Sequence, residues 1–189
     1  MKRLIYTFVF IICCATISFA QTTDYSKNEF FAGYSYLRET GDTSGRNLHG
    51  VALEYTRNIR ERVGITVDFS GHFSRTSFPI TGGEVSIKRE RYNLLVGPRY
   101  NFRSDSRVTP FVHALLGIGH SKIDASVIAT SGNTFIFGKD TAFAMALGGG
   151  LDIKANEKIS IRAIQVDYNP LFTGNVRNNI RLSVGIVFK

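Results

Sequence analysis

Cysteine is confined to one place in this chain. Cys13 and Cys14 sit side by side near the start, and nothing after them can form a disulfide or supply a thiolate ligand. The histidines, at positions 49, 72, 113 and 120, are scattered, so the usual zinc spacings are missing as well, and no metal or cofactor is expected. Past residue 20 no apolar run is long enough to cross a bilayer as a helix. Neither a Pro/Ser-rich linker nor a break in composition divides the 189 residues, which read as one domain. Dense Lys/Arg runs are also lacking, so the formal charge of +8 does not point to a nucleic-acid partner.

The first twenty residues stand apart. Lys2 and Arg3 precede a nearly unbroken apolar stretch from Leu4 to Phe19, and Ser18-Phe19-Ala20 supplies a small-x-small site before Gln21. This is the pattern of a cleaved secretory signal over residues 1–20, leaving residues 21–189 as the mature domain. An uncleaved anchor is the alternative, but the stretch is short for a spanning helix. Lipid attachment at a cysteine would need a small residue before it, whereas Ile12 precedes Cys13. Cleavage leaves an exported chain without cysteine, and the loss of Lys2 and Arg3 leaves 21 basic against 15 acidic side chains, or +6.

What remains is alternation. Eight strand patterns recur, near residues 29–38, 47–58, 62–74, 87–102, 108–122, 140–154, 158–168 and 178–188, each pairing an apolar set with a small or polar one. In "RYNLLVGPRYNF", Tyr92, Leu94, Val96, Tyr100 and Phe102 share one face, and Arg91, Asn93, Gly97, Arg99 and Asn101 the other. The seventh strand breaks step, Ile159 and Ile161 having one parity and Ile164, Val166 and Tyr168 the other, which a bulge near Arg162 to Ile164 would reconcile. Pro98 cannot donate a ladder bond and is expected to mark a local bulge. Links alternate between tight ("NIRE", "RSDSR", "NEK") and long or flexible ("ETGDTSGRN", "LFTGNVRN"). Two of the longer ones read as prolonged hairpins turning at Thr81-Gly82-Gly83 and Ser131-Gly132-Asn133.

Eight antiparallel strands suit either a soluble barrel, apolar set inside, or an outer-membrane barrel, apolar set outside. Three features favour the membrane. An eight-stranded barrel is only wide enough for side chains to fill, and the polar set, rich in glycine and alanine, suits that cramped interior. Phe and Tyr crowd the apolar set toward strand ends, as girdles do, and the links alternate in length as two unlike compartments require. The expected fold is therefore all-β, an eight-stranded antiparallel transmembrane β-barrel in the cell outer membrane, with both termini periplasmic and the long hairpins outside.

From "FFAGYSYLR" through "RYNLLVGPRYNF" and "TPFVHALLGIG" to "NIRLSVGIVFK", the chain resembles the OmpA/OmpX-type small outer-membrane barrels. The resemblance implies a last strand read by the barrel-assembly machinery, with Leu182, Val184, Ile186 and Phe188 matching that tag and Lys189 departing from the usual terminal aromatic. Wall anchoring through a peptidoglycan-binding domain, as in the longer relatives, is not expected.

The inward set contains Glu54, Asp68, Arg91, Arg99, His113, Asp152, Arg162 and Arg181, joined by Gln165 and Asp167 if the bulge is real. Glu54, Arg99, His113 and Arg162 fall at similar depths, so ion pairs are expected to cross the lumen, either as a structural plug or as a gate in a narrow ion path. His72-Phe73-Ser74 places a base and a nucleophile on one face, but that face is the lumen, away from any lipid substrate, and His120-Ser121 splits its pair between faces. A catalytic site is not expected. Arg75, Lys88, Arg89, Lys122, Lys139 and Arg177 gather at the outer rim among Glu84, Glu90, Asp124 and Asp140, where lipopolysaccharide phosphates would meet them. The expectation is a monomer with a structural or surface-binding role carried by its extracellular hairpins; a narrow gated pore and a lipid-modifying enzyme are the alternatives.

Overall fold

The computed structural model describes residues 25–40, 46–81, 83–103, 106–129 and 132–189. The expected export signal and its cleavage site, and parts of the "ETGDTSGRN" and "RSDSR" links, lie outside the described residues. The strands are β1 (Asn28–Glu39), β2 (Arg46–Asn58), β3 (Val63–Ile80), β4 (Gly83–Asn101), β5 (Val108–Ala129), β6 (Gly132–Lys154), β7 (Ile159–Tyr168), β8 (Leu171–Thr173), β9 (Asn175–Arg177) and β10 (Asn179–Phe188).

Strands β1 to β7 pair in chain order, each antiparallel to the next. β10 then pairs with β7 on one side and β1 on the other, from Phe30↔Phe188 to Glu39↔Asn179, so eight strands form a closed ring. Closure satisfies the backbone without leaving an edge at membrane depth. β7 carries one extra residue: Gln165 faces Ser183 and Arg162 faces Gly185, while against β6 Ile164 faces Leu151 and Arg162 faces Asp152. This bulge turns Gln165 and Asp167 into the lumen.

Three local expectations are corrected. Pro98 makes no bulge. Val96↔Leu116 and Arg99↔His113 keep one register, with no pairing between, so the missing N–H opens a two-residue gap in the β4–β5 ladder without a slip. In the second long hairpin the ladder runs to Ala129↔Gly132 and takes Gly132 and Asn133 into β6, while Ser131, like Gly82 of the first, lies outside the described residues. The first likewise takes Gly83 into β4, opposite Ile80. Finally, "LFTGNVRN" is not a plain flexible link. It folds as the β8–β9 hairpin about Gly174, whose φ of 55° is the left-handed conformation glycine adopts freely, and β8 pairs with β6 at Phe143 and Ala144.

Around the ring the apolar set faces out. Val112, Leu116 and Ile118 of β5, Phe143, Leu147, Leu151 and Ile153 of β6, and Ile180, Leu182, Val184, Ile186 and Phe188 of β10 are all exposed. A spanning strand needs about 9–11 residues, yet β5 has 22 and β6 has 23. The surplus of β3, β4, β5 and β6 continues past the ring as one four-stranded sheet.

In that outer sheet the alternation changes hands. Registers carry the lumen face upward from His72, Arg91, Ser121 and Asp140 without a slip, and on this face the sheet now bears Phe78, Val85, Ile87, Ile123, Val127 and Ile136. The opposite face, which is lipid-facing lower down, bears Arg75, Ser77, Ser86, Lys88, Asp124 and Ser126, with Ile128 on β5 and Phe135 and Phe137 on β6 as exceptions. The switch marks where hydrocarbon ends.

A charge on the apolar band tests this placement. Leu116→Arg is expected to destabilise the barrel by about 2–4 kcal/mol, whereas Ser126→Arg in the outer sheet changes stability little. Urea unfolding in lipid vesicles measures both.

Candidate functional site

The lumen is filled by a polar network in its lower part and an apolar plug above it. All eight sequence-identified residues, Glu54, Asp68, Arg91, Arg99, His113, Asp152, Arg162 and Arg181, are buried there.

Arg162 is the hub. Its Nε and Nη2 donate to Asp152 at 2.8 and 3.2 Å, a bidentate grip, and its Nη1 donates to Glu54 and to Gln165 at 2.6 Å each. Gln165 donates in turn to Glu54 at 2.8 Å and Asp167 at 2.9 Å. Arg99 donates to the same Asp152 at 2.7 Å. A second cluster surrounds Arg181, which contacts Asp68 at 2.8 Å and Asp167 at 2.8 Å, with His113 Nε2 at 2.7 Å from the other Asp167 oxygen. Since β7 and β2, like β10 and β3, are separated by two strands of the ring, the Arg162–Glu54 and Arg181–Asp68 pairs span the lumen.

Two inward aromatic rings shape the hub. The Arg162 guanidinium lies 4.2 Å from the Phe31 ring centre and 4.5 Å from that of Phe111, and Arg99 stacks 3.7 Å over Phe111. Glycines hollow out the wall for them: a Cβ at Gly33 or Gly185 would come within 2.6 or 2.8 Å of the Phe31 ring, and one at Gly150 within 2.9 Å of Phe111. Cations on ring faces gain about 2 kcal/mol or more when desolvated, which offsets part of the cost of burying them.

At the short-turn end Glu29 accepts from Asn58 at 3.0 Å and from Arg103 at 2.6 Å. Toward the outside, Leu95, Leu115, Ala144, Ala146 and Leu171 form a fully buried apolar cluster. Leu171 comes from β8, and its side chain takes the space that a Cβ on Gly119 would need. Above this plug Arg91 is held loosely, by Asn169 at 3.3 Å and with its nearest carboxylate, Glu39, at 4.0 Å.

Glu29, Phe31, Phe111 and the leucine plug are absent from the sequence-derived set. Phe31 shares the parity of Gly33 and Ser35, and Phe111 that of His113, so parity could have revealed them where residue type pointed to lipid. Leu171 stands in the link between two strand patterns and has no such signal.

Other candidates are dispersed. His72 is buried with Nε2 2.9 Å from Ser35 Oγ, while His120 points outward to Thr141, 2.7 Å away. No cluster of metal-ligating side chains occurs among the described residues. At the rim Lys122 donates to Asp124 at 2.8 Å, a bond that raises the lysine pKa above its ordinary value. Arg75 and Lys88 face one another across the β3–β4 ladder.

Truncating the hub strands two carboxylates. Arg162→Ala is expected to cost about 3–5 kcal/mol, and combining it with Glu54→Gln and Asp152→Asn recovers most of that loss. Urea unfolding in detergent micelles, with the triple variant as control, measures the difference.

No family model and no curated protein sequence matches the chain. Solved structures do match. Ail, the attachment invasion locus protein of Yersinia pestis, is 20% identical over 85% of this chain and 97% of its own, with a TM-score of 0.58. OprG from Pseudomonas aeruginosa is 12% identical over 85% and 94%, with a TM-score of 0.54. The Neisserial surface protein A is 15% identical over 87% and 97%, with a TM-score of 0.53. Identities this low speak for the fold, which all three share with the present chain over nearly their whole lengths. The chain has the fold of these small outer-membrane proteins, a closed eight-stranded antiparallel β-barrel.

Proposed function

We propose that this protein is a surface-interaction barrel, in which a filled lumen serves as the rigid base for a sheet presented outside the cell. One observation carries the reading: β3 to β6 stay paired far beyond the ring, to Ile80↔Gly83 and Ala129↔Gly132, while the lumen beneath them is filled by buried side chains. An ordered, hydrogen-bonded projection is costly to keep in water and adds nothing to a membrane anchor, so its use lies at the surface. Ail is named for attachment and invasion, and one of its crystal structures holds the heparin analogue sucrose octasulfate. That supports a search for polyanionic ligands here, and the rim cations Arg75, Lys88 and Lys139 supply the charge.

The export signal over residues 1–20 and recognition of β10 by the barrel-assembly machinery belong to the same reading, as does contact of the rim with lipopolysaccharide, and the barrel acts as a monomer. A narrow gated pore is the second reading, favoured by the polar column from Glu29 to Arg181. Against it, the polar contacts that continue past the leucine cluster, from Arg181 through Ser70 and Asn93 to Arg91, are made between fully buried side chains. The lipid-modifying alternative loses its base, because the His72 ring is enclosed on the lumen side.

Removing residues 76–86 and 124–137 excises both projections. The shortened barrel is expected to fold and its binding to host-cell surfaces to fall at least tenfold, while binding to immobilised heparin, for which Arg75, Lys88 and Lys139 are retained, is expected to fall tenfold only when those three are changed to alanine. Undiminished binding to cell surfaces would overturn the proposal. In planar bilayers neither the wild type nor Arg99→Ala is expected to pass current, and steady conductance from the wild type would favour the pore instead.

A further inference from the structure

Charge is not spread evenly along the barrel axis. The lumen balances Arg91, Arg99, Arg162 and Arg181 against Glu54, Asp68, Asp152 and Asp167. At the long-hairpin end, residues 38–46, 74–90, 122–140 and 177 set eight basic side chains against six acidic ones. At the short-turn end, residues 21–29, 57–62, 102–107, 153–158 and 189 hold nine basic and five acidic side chains, so four of the six net positive charges of residues 21–189 lie there.

Their placement is regular. The β2–β3, β4–β5 and β6–β7 turns and the paired ends of β1 and β10 fall in four successive quarters of the ring. Each quarter carries two cations at the mouth: Arg60 and Arg62, Arg103 and Arg107, Lys154 and Lys158, Lys27 and Lys189. Lys27, Arg103, Lys154, Lys158 and Lys189 each stand two residues from a buried lumen-facing one, respectively Glu29, Asn101, Asp152, Ser160 and Val187, so they continue the inner row. The lipid-facing row at that height is aromatic instead, with Phe30, Tyr55, Tyr100, Phe102 and Phe188 exposed and Arg57 among them.

Most of the ring is unengaged. Lys27, Arg60, Arg62, Arg107 and Lys158 are exposed, and their side chains make no ion pair or hydrogen bond among the described residues. The mouth itself is occupied by Arg103, which donates to Glu29 at 2.6 Å and to the Glu61 carbonyl at 2.6 Å. Lys189 is partly exposed beside it, where Glu29, Arg103, Asp152 and Lys154 act on its charge. An anionic chain therefore finds no entry to the lumen, and the ring faces whatever lies across the mouth. Like charges gathered at one end repel, which an anionic partner relieves.

We propose that this ring docks the barrel on the cell wall, its cations binding the carboxylates of peptidoglycan stem peptides without a separate wall-binding domain. The site takes the short-turn end as periplasmic, opposite the projecting sheet, and does not depend on what that sheet binds. Inner-leaflet phosphates lie on the aromatic side, away from the inner row. A single acidic peptide would engage one quarter and leave the others unmatched, whereas a flat carboxylated mesh beneath the membrane meets all four. Arginine suits the task, because its planar fork grips a carboxylate with two bonds where lysine offers a point charge. Exposed pairs of this kind are individually weak, so the docking is multivalent and sensitive to salt.

The barrel in phosphatidylcholine nanodiscs is expected to sediment with purified sacculi at low salt, and the bound fraction to fall at least tenfold as salt is raised. Sacculi whose carboxyls are blocked as amides are expected not to retain it. Arg62→Ala, Arg107→Ala and Lys158→Ala together, one in each turn, are expected to weaken binding at least tenfold in a barrel that still folds. Arg75→Ala, Lys88→Ala and Lys139→Ala remove as much charge from the other end, and that triple is expected to lose heparin while keeping sacculi. Soluble muropeptides are expected to displace the barrel, and glycerol phosphate at the same ionic strength is not.

No sedimentation with sacculi, equal retention by the blocked sacculi, or equal loss from the outer triple would overturn the proposal. Displacement by glycerol phosphate as readily as by muropeptides would do the same and assign the ring to lipid phosphates. If the turn triple keeps its sacculi while excision of residues 76–86 and 124–137 abolishes cell-surface binding, wall docking falls and the surface-interaction reading stands. If the turn triple loses them while that excision leaves cell binding unchanged, wall docking stands and the surface reading falls.

Discussion

Hydrocarbon supplies no hydrogen bonds, so every backbone N–H and C=O at membrane depth must be paired within the protein. Eight strands meet that demand by closing on themselves through β1 and β10, and the remaining features follow from the closure. A ring of eight encloses a lumen too narrow to hold much water yet too wide to leave empty. The lipid claims the apolar side chains, so the interior falls to whatever shares the other parity. Burial there makes ion pairing compulsory: five carboxylates, Glu29, Glu54, Asp68, Asp152 and Asp167, meet Arg99, Arg162 and Arg181 inside, with Arg103 at the mouth.

Such pairs do not make a barrel stable by themselves. Desolvating two charges costs several kcal/mol per ion, roughly what their attraction returns. Their value lies in direction. Arg162 holds Asp152 from β6, Glu54 from β2 and Gln165 from its own strand, and is clamped between rings from β1 and β5. Four walls are thus tied to one planar group whose donors tolerate little rotation. The glycines at 33, 150 and 185 serve the same end, since the rings that clamp the arginine lie where side chains would otherwise stand. What results is a stiff base, with the leucine cluster packed above it on the β4–β6 side.

The strands and their orientation were legible in the sequence because lipid and lumen impose opposite demands on alternate residues, and the eight network residues could be read from parity alone. Legibility failed where residue type and parity disagree. Leu95 and Leu115 are apolar but inward, as are Phe31 and Phe111, and they are visible only once the register is trusted over hydrophobicity. Pro98 suggested a bulge, but a lost donor and a slipped register are different things, and closure holds the register through Val96↔Leu116 and Arg99↔His113. Leu171 was beyond reach, because its inward path depends on the turn at Gly174 and on pairing with β6, and neither leaves a local pattern.

The long hairpins failed for a more instructive reason. Alternation continues through them, but its sense reverses above the row of His72, Arg91, Ser121 and Asp140, so a search for one unbroken pattern ends strands early. The reversal has a physical source. Within the bilayer the outer face must be apolar and the inner one polar; past the rim the surroundings are water, and only the face turned toward the barrel axis is sheltered. A sheet that obeys both rules must exchange faces where the two solvents meet, as this one does at the height of Lys88, Lys122 and Lys139. Because the ring no longer closes at that height, the edges absent from the membrane reappear in the outer sheet. One of them carries Arg75 and Pro79; the other, along β6, carries charge only at its base, in Lys139 and Asp140.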